Sequence, residues 1–340
     1  MGEKNIFSHS LQKKFITNCS LETCIGAMMS KEFDFRIFWR NYGILIVFFI
    51  FYVSLSFGSD AFLTVNNQLN ILRQISILGL ISLGVFTTLK AGNVDLSVGS
   101  ALGFIGVICA KVSLYYGTAI ALLVAFSVAL FIGFLNGFFS TRGRNLSIMV
   151  TLSMKFILYS GTLVITRAMP ITGLPKSLIF LGHENIGPVP MPAIVLIVVV
   201  IIFWIFFSYT AAGRRVSAVG VSDITSSFFG ISVKRVQIYT FLISALCAAL
   251  AGIVMVGRCT SGQPNAGLGA ELDAIGAVLI GGTSLQGGIG TVRGVMVGVL
   301  ILGLINNGLN LLGVDPFYRD AVKGGVILFA ILMDQWERKK

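Results

Sequence analysis

Charge is what this sequence has least of. Acidic and basic residues together fill 11% of its 340 positions, against 55% apolar ones, and its mean hydropathy is +0.89. A water-soluble domain sets a charged surface against its core, and this composition excludes one. Only 14 residues are acidic and two are histidine, which leaves little from which to build a metal centre; His9 and His183 are far apart in the chain. The five cysteines are an odd number without C-x-x-C spacing, and Cys109 and Cys247 lie inside apolar runs. They read as small apolar fillers rather than a redox or metal set. A Walker A pattern is also lacking. Gly281, Gly282, Thr283 and Ser284, and then Gly287 and Gly288, miss the Lys-Ser/Thr pair that holds phosphate and magnesium.

Apolar sequence remains, in lengths that match a hydrocarbon core of about 30 Å, which a helix of roughly 20 residues crosses. Such runs are expected at 42–58, 71–89, 97–116, 118–139, 146–166, 191–209, 236–257, 272–288, 290–313 and 319–333. The fold expected is all-α: a polytopic membrane helix bundle of about ten transmembrane helices. Ten crossings put both ends on one side. Placing that side in the cytoplasm gathers most of the 25 Lys and Arg there, as the positive-inside tendency requires. Arg142 and Arg144, Arg214 and Arg215, Lys234 and Arg235, and Arg338 to Lys340 all follow it. All seven prolines then fall in or beside external loops, where rigid turns break no helix. The net charge of +11 belongs to this topology, since the basic residues form no block or stripe of the kind that binds nucleic acid. The chain divides into a polar cytoplasmic leader (1–41), a transmembrane domain (42–334) holding a long cytoplasmic segment (210–235), and a short cytoplasmic tail (335–340). Met28 and Met29 are alternative starts to Met1. No cleaved secretory signal is indicated.

Function is sought where polarity interrupts the spans. The turn Ala91–Ser100 carries Asn93, Asp95 and Ser97 just before a helix start. It reads either as a capped helix or as a broken segment lining a solute path. Asn306, Asn307 and Asn310 are spaced to present amides to one sector of a helix, either to a path or as interhelical hydrogen bonds. Gln263, Asn265, Glu271 and Asp273 fall in an outer loop or at its edge, as entrance groups or ordinary loop polarity. Lys155 stands alone in mid-span, where an unpaired charge is expensive; Asp95 is the partner considered for it. Glycines at four-residue spacing (Gly99 and Gly103, Gly133 and Gly137, and the series Gly290, Gly294, Gly298) suit close helix packing in lipid. Residues 87–92 resemble 283–288, which hints at a duplicated unit. These two segments end crossings an even number apart, whereas an inverted internal repeat needs an odd offset or a short re-entrant segment between.

Within 210–235 a short helix is signalled. Ser222 or Asp223 caps it, Ile224 and Phe228 share a face, and Gly230 is a suitable stop. Phe228 and Phe229 there need a partner, or fold back onto the bundle or the lipid surface.

Ala91–Ser100, Gly262-Gln263-Pro264 with Glu271 to Ile275, Gly281 to Leu285 with Gly287 to Thr291, and Asn306 to Val314 together resemble the ribose-type permease subunits of bacterial ABC sugar importers. The likeness covers most of 42–334 and is densest after 213. It implies a bacterial inner-membrane channel of two permeases, either two copies or a copy with a paralogue. It also implies a sugar-specific binding protein outside and an ABC ATPase inside, with ATP and magnesium on that ATPase and no cofactor on this chain. Residues 222–230 would be the coupling helix that docks in a groove of the ATPase, with Ser222, Asp223, Ile224, Phe228, Phe229 and Gly230 carrying the contact. The chain departs from the family there, with Ile224-Thr225-Ser226-Ser227 where relatives carry something like Glu-Ala-Ala-Arg. It departs again at Lys155, where the family has an apolar residue and a basic one about a turn later, at the place of Tyr159. Conformational change rather than catalysis is therefore expected. An ion-coupled secondary carrier and a passive channel are the rival readings; a carrier would place carboxylates deep in the spans, and few are expected there.

Overall fold

The computed structural model describes residues 35–143 and 146–315, and beyond these 318, 319, 321–325 and 328. The chain divides into units 1–46 and 47–340, and all contacts given below lie in the second. The leader before residue 35 and the tail 335–340 lie outside the described residues.

Helices α1 (Phe35–Gly58), α2 (Val65–Lys90), α3 (Val98–Ser140), α4 (Leu146–Thr166) and α5 (Lys176–His183) come first. A two-residue hairpin follows, β1 (Asn185–Ile186) and β2 (Val189–Pro190), with Asn185 opposite Pro190. Helices α6 (Met191–Tyr209), α7 (Ala211–Val221), α8 (Asp223–Phe228), α9 (Val233–Cys259), α10 (Ala270–Ile280) and α11 (Val292–Leu311) complete the order. Hydroxyls cap several starts: Thr210 accepts from the Gly213 N–H at α7, Ser222 from Thr225 at α8, and Thr291 from Gly294 at α11. Among the described residues six helices are long and apolar enough to cross a membrane: α2, α3, α4, α6, α9 and α11.

Two of the expected crossings lie in α3. At Gly117 the backbone takes φ 77° and ψ 170°, a conformation open to glycine, and the chain reverses. Before it, Gly106 packs beside Gly252; after it, Gly133 packs beside Phe241 and Gly137 beside Ile238. The expected spans 97–116 and 118–139 are thus the two arms of one hairpin against α9. Ala121, Ala125, Ala129, Gly133 and Gly137, each four residues from the last, form its buried stripe. With Ala245, Ala248 and Ala249 of α9 the stripe joins the central core. Small side chains let the backbones approach, and in lipid that close packing rather than hydrophobic drive holds helices together.

The expected crossing at 272–288 is corrected. Helix α10 has 11 residues, about 16 Å at 1.5 Å per residue, half a hydrocarbon core. A segment of turns (260–269) leads to it and a glycine-rich turn (281–291) follows it. The count of ten crossing helices is therefore not reproduced, and the run 319–333 lies mostly outside the described residues.

Helices α2 and α9 are antiparallel. Asn70 accepts from Arg258 at one end, Gly84 meets Ser244 midway, and Ala91 packs with Val236 at the other. Each leads into a non-helical stretch and then a helix: α2, 91–97, α3, and α9, 260–269, α10. The two units run in opposite senses and meet midway, where a Cβ on Gly267 would stand 1.8 Å from the Gly99 carbonyl oxygen. This is an inverted arrangement. The similar segments 87–92 and 283–288 are not its symmetric halves. They lie side by side at one end, where the Gly288 N–H donates to the Lys90 carbonyl at 2.9 Å.

Candidate functional site

The first broken segment enters the bundle as bare backbone, whose polar groups need partners where water is scarce. Thr151 of α4 supplies them: its hydroxyl accepts from the Leu96 N–H at 3.1 Å and lies 3.4 Å from the Val94 carbonyl. Asp95 is 2% exposed. Its Oδ1 accepts from the Ser97 N–H at 3.0 Å and the Ser97 hydroxyl at 2.7 Å, and its Oδ2 from the Ser244 hydroxyl at 2.8 Å. Asn136 donates to Ser97 Oγ at 2.8 Å. The carboxylate therefore joins the start of α3 to the middle of α9, while Ser97, at the N-cap of α3, makes no side-chain cap bond. Asn93 is also buried, and its Nδ2 has no partner among the described residues.

The second broken segment repeats the device with a different counterpart. Glu271, in the first turn of α10, is 1% exposed rather than at a loop edge, and its Oε1 accepts from Lys155 Nζ of α4 at 2.5 Å. Two placements are corrected: Lys155 pairs with Glu271 and not with Asp95, and Glu271 is buried in the bundle rather than exposed in an outer loop or at its edge. The reason is the re-entrant path of 260–269, which carries residue 271 to the level of Gly99. A Cβ on Gly99 would stand 2.1 Å from Glu271 Oε2. Two carboxylates thus lie deep in the bundle, where few were expected, one held by hydroxyls and the other by an ammonium.

The remaining candidates separate. Asn307 exchanges hydrogen bonds with Asn67 of α2, at 2.9 and 3.1 Å. Asn310 accepts from Arg319. Asn306 alone of the three lines a cavity between α2, α10 and α11. Asp273 lines the same cavity and pairs with Lys323 at 3.1 Å. Gln263 donates to the Ser261 hydroxyl at 2.9 Å, and Asn265 accepts from the Tyr159 hydroxyl at 3.3 Å. The asparagines share a helix but not a site, because residues 306, 307 and 310 face three different neighbours.

At the opposite end, α7 and α8 form a projection. Val216 and Val219 anchor α7 against Ala91 and Val236. Gly220 is wedged at the junction: a Cβ there would stand 1.9 Å from the Lys90 carbonyl and 2.5 Å from the Gly288 nitrogen. Lys90 Nζ donates to the Gly290 carbonyl at 2.8 Å and lies over the rings of Phe86 and Phe207. Gly220, Lys90, Ser244 and Asn136 were not singled out from the sequence, and Gly288 only as part of a glycine-rich stretch; the similarity of 87–92 to 283–288 pointed near Lys90 and Gly288 alone. Beyond the wedge, Ser222 caps α8 and Asp223 Oδ1 accepts from the Ile224 N–H. Gly230 ends the helix at φ 77°. Val221, Ile224, Phe228 and Phe229 all point outward, the two phenylalanines 85% and 81% exposed, so they do not fold back onto the bundle.

A family model described as branched-chain amino acid transport system / permease component matches residues 67–331. The ribose import permease protein RbsC of Escherichia coli K12 is 38% identical over 295 residues, 85% of this chain and 92% of that protein. RbsC of Bacillus subtilis is 37% identical over 308 residues, 90% of this chain and 96% of its own length. The D-allose transport system permease protein AlsC of Escherichia coli K12 is 35% identical over 315 residues, 91% and 96% of the two chains. No solved structure matches the chain. A bundle of apolar helices with two inverted broken segments, matched over most of its length by one family model and by these permeases, belongs to the branched-chain amino acid transport system / permease component family.

Proposed function

We propose that this chain is the membrane subunit of an ATP-driven importer, moving a monosaccharide such as a pentose or hexose across the cytoplasmic membrane. A second permease, an external binding protein and a cytoplasmic ATPase complete the assembly, with ATP and magnesium on the ATPase and both ends of this chain in the cytoplasm. The ribose and allose permeases similar to it support the substrate class. One observation carries the mechanism: α8, which exposes the apolar side chains of Ile224, Phe228 and the adjoining Phe229, is tied through the Gly220 wedge to the ends of both broken units. ATPase closure moves α8 and α7 together. Lys90 and the 287–288 turn follow, because backbone contacts leave no slack. The displacement reaches α2 and α10, and the midway contact of Gly99 with Gly267 opens.

Phe228→Asp with Phe229→Asp tests this. Each ring contributes about 1.5–3 kcal/mol when fully buried in a groove, so the pair is worth at least roughly a hundredfold in ATPase affinity. The doubly substituted permease is expected in the membrane in normal amount, without co-purifying ATPase and without uptake. Undiminished ATP-driven uptake refutes the assignment.

The buried Asp95 and Glu271 favour a second reading, an ion-coupled carrier, since intramembrane carboxylates are the groups such carriers use. A protonophore applied at constant ATP separates the two: the importer continues and the carrier stops.

A further inference from the structure

We infer that the cavity between α2, α10 and α11 is a binding subsite for a small polyhydroxylated solute within this single subunit. The inference rests on the permease reading above and adds to it a place and a set of contacts.

The cavity holds about 200 Å³. That is below the roughly 300–1,000 Å³ of sites for drug-sized molecules, which restricts the occupant to something of sugar size. It lies beside a discontinuous helix, as transporter sites do, and reaches from Ala270, the first residue of α10, to Arg258 at the end of α9. Polar groups come from four helices, Gln74 of α2, Arg258 of α9, Asp273 of α10 and Asn306 of α11, and the wall between them is apolar, including Leu78 and Leu102. A sugar presents the same two chemistries, a rim of hydroxyls that donate and accept and faces of C–H.

The decisive observation is the state of the two amides. Gln74 and Asn306 are half-buried, and neither side chain has a hydrogen-bond partner among the described residues. Neighbouring amides at the same interface are satisfied, as in the reciprocal pair Asn67 and Asn307. Facing the cavity without a protein partner, each amide has its donor and acceptor open to a ligand or water there. Each amide offers both a donor and an acceptor, the complement of a hydroxyl. Arg258 is held by Asn70 and Asp273 by Lys323, so these two charges are fixed in place at the rim rather than free to collapse into the space. The subsite is weak by construction, with few polar contacts, as a path that must release its cargo requires.

The test uses the full complex of this chain with its ATPase and binding protein in vesicles, with labelled D-ribose, D-allose and L-arabinose offered in turn. Gln74→Leu and Asn306→Leu, close in size to the native residues, are each expected to lower the uptake of the transported sugar about five- to tenfold, the worth of one or two hydrogen bonds. ATP hydrolysis stimulated by loaded binding protein is expected to stay within about twofold, a readout that a folding or coupling defect would lower in parallel. Ser127→Ala, on the exposed face of α3, serves as the silent control. Unchanged uptake in both leucine variants overturns the subsite and leaves the permease function standing. Parallel loss of uptake and stimulated hydrolysis overturns it as well, by assigning the amides to structure. Failure of the unsubstituted complex to take up any of the three sugars counts instead against the monosaccharide reading.

Discussion

Lys155→Met is expected to be more damaging than Glu271→Gln, although both break the same ion pair. The two ends of the pair are unequal: the Glu271 side chain is 1% exposed and that of Lys155 is 26% exposed. Removing the ammonium strands a carboxylate among α10, Gly99 and Gly267. Stranding one member of a buried pair costs about 3–5 kcal/mol. Removing the carboxylate charge instead leaves a lysine whose long stem lets its ammonium reach a more polar level, and the lost charged hydrogen bond is then worth about 1.5–3 kcal/mol. Replacing both, Lys155→Met with Glu271→Leu, removes both desolvation penalties and should return stability to within about 1–2 kcal/mol of the native chain, since apolar replacements of buried pairs are often neutral. Thermal unfolding of the detergent-purified permease, with the amount of assembled complex in the membrane, reads these variants together with Glu271→Leu alone, which closes the cycle with Lys155→Met. The prediction is a non-additivity of at least about 2 kcal/mol, with Lys155→Met the least stable and sugar selectivity unchanged in whatever protein assembles. Additive effects, or a milder Lys155→Met than Glu271→Gln, would show that the pair does not hold α4 to α10 and refute the reasoning.

Two further outcomes follow from close contacts. Gly220→Val would press side-chain atoms into the Lys90 carbonyl and the Gly288 nitrogen; α7 has to shift, and ATP-driven uptake should fall to background even where ATPase still co-purifies. Retained uptake would mean that the wedge transmits nothing. Asp95→Leu leaves the hydroxyls of Ser97 and Ser244 without their acceptor and should destabilise the purified permease by about 3 kcal/mol or more, while Asp95→Asn, which keeps one oxygen, should lose roughly half as much. Equal losses in the two variants would show that the hydrogen bonds of Asp95 are not what its burial serves.

The short projecting helix was readable from local signals: Ser222 as a cap, Gly230 as a stop, Ile224 and Phe228 on one face. All of these are effects of residues within a turn or two of one another. The reversal at Gly117 was readable for a similar reason, because one apolar run of 43 residues is too long for a single crossing. The interior of the site was not. Lys155 finds Glu271 across 116 residues, and nothing in the neighbourhood of either residue announces the other. Glu271 looked like loop polarity because 260–269 carries the glycines, proline and amides of a loop; it is one in conformation, but it runs inside the bundle. The three asparagines of α11 were correctly placed on one helix and wrongly expected in one sector, since residues 306, 307 and 310 span a wide enough arc to meet different neighbours.

By itself the sequence determined that lipid is the solvent, where the apolar runs lie and which short segment presents apolar side chains at an end. These are properties of composition and of spacing along a chain, and hydropathy reports them directly. Only the tertiary structure decided that α10 is half a helix, that two carboxylates are buried midway, and that Gly220, Lys90 and Gly288 interlock. In a bilayer every helix face is apolar whether it meets lipid or protein, so the partition that marks a core in water is lost. Which backbones touch is then settled by shape and by distant polar partners, and both exist only once the chain has folded.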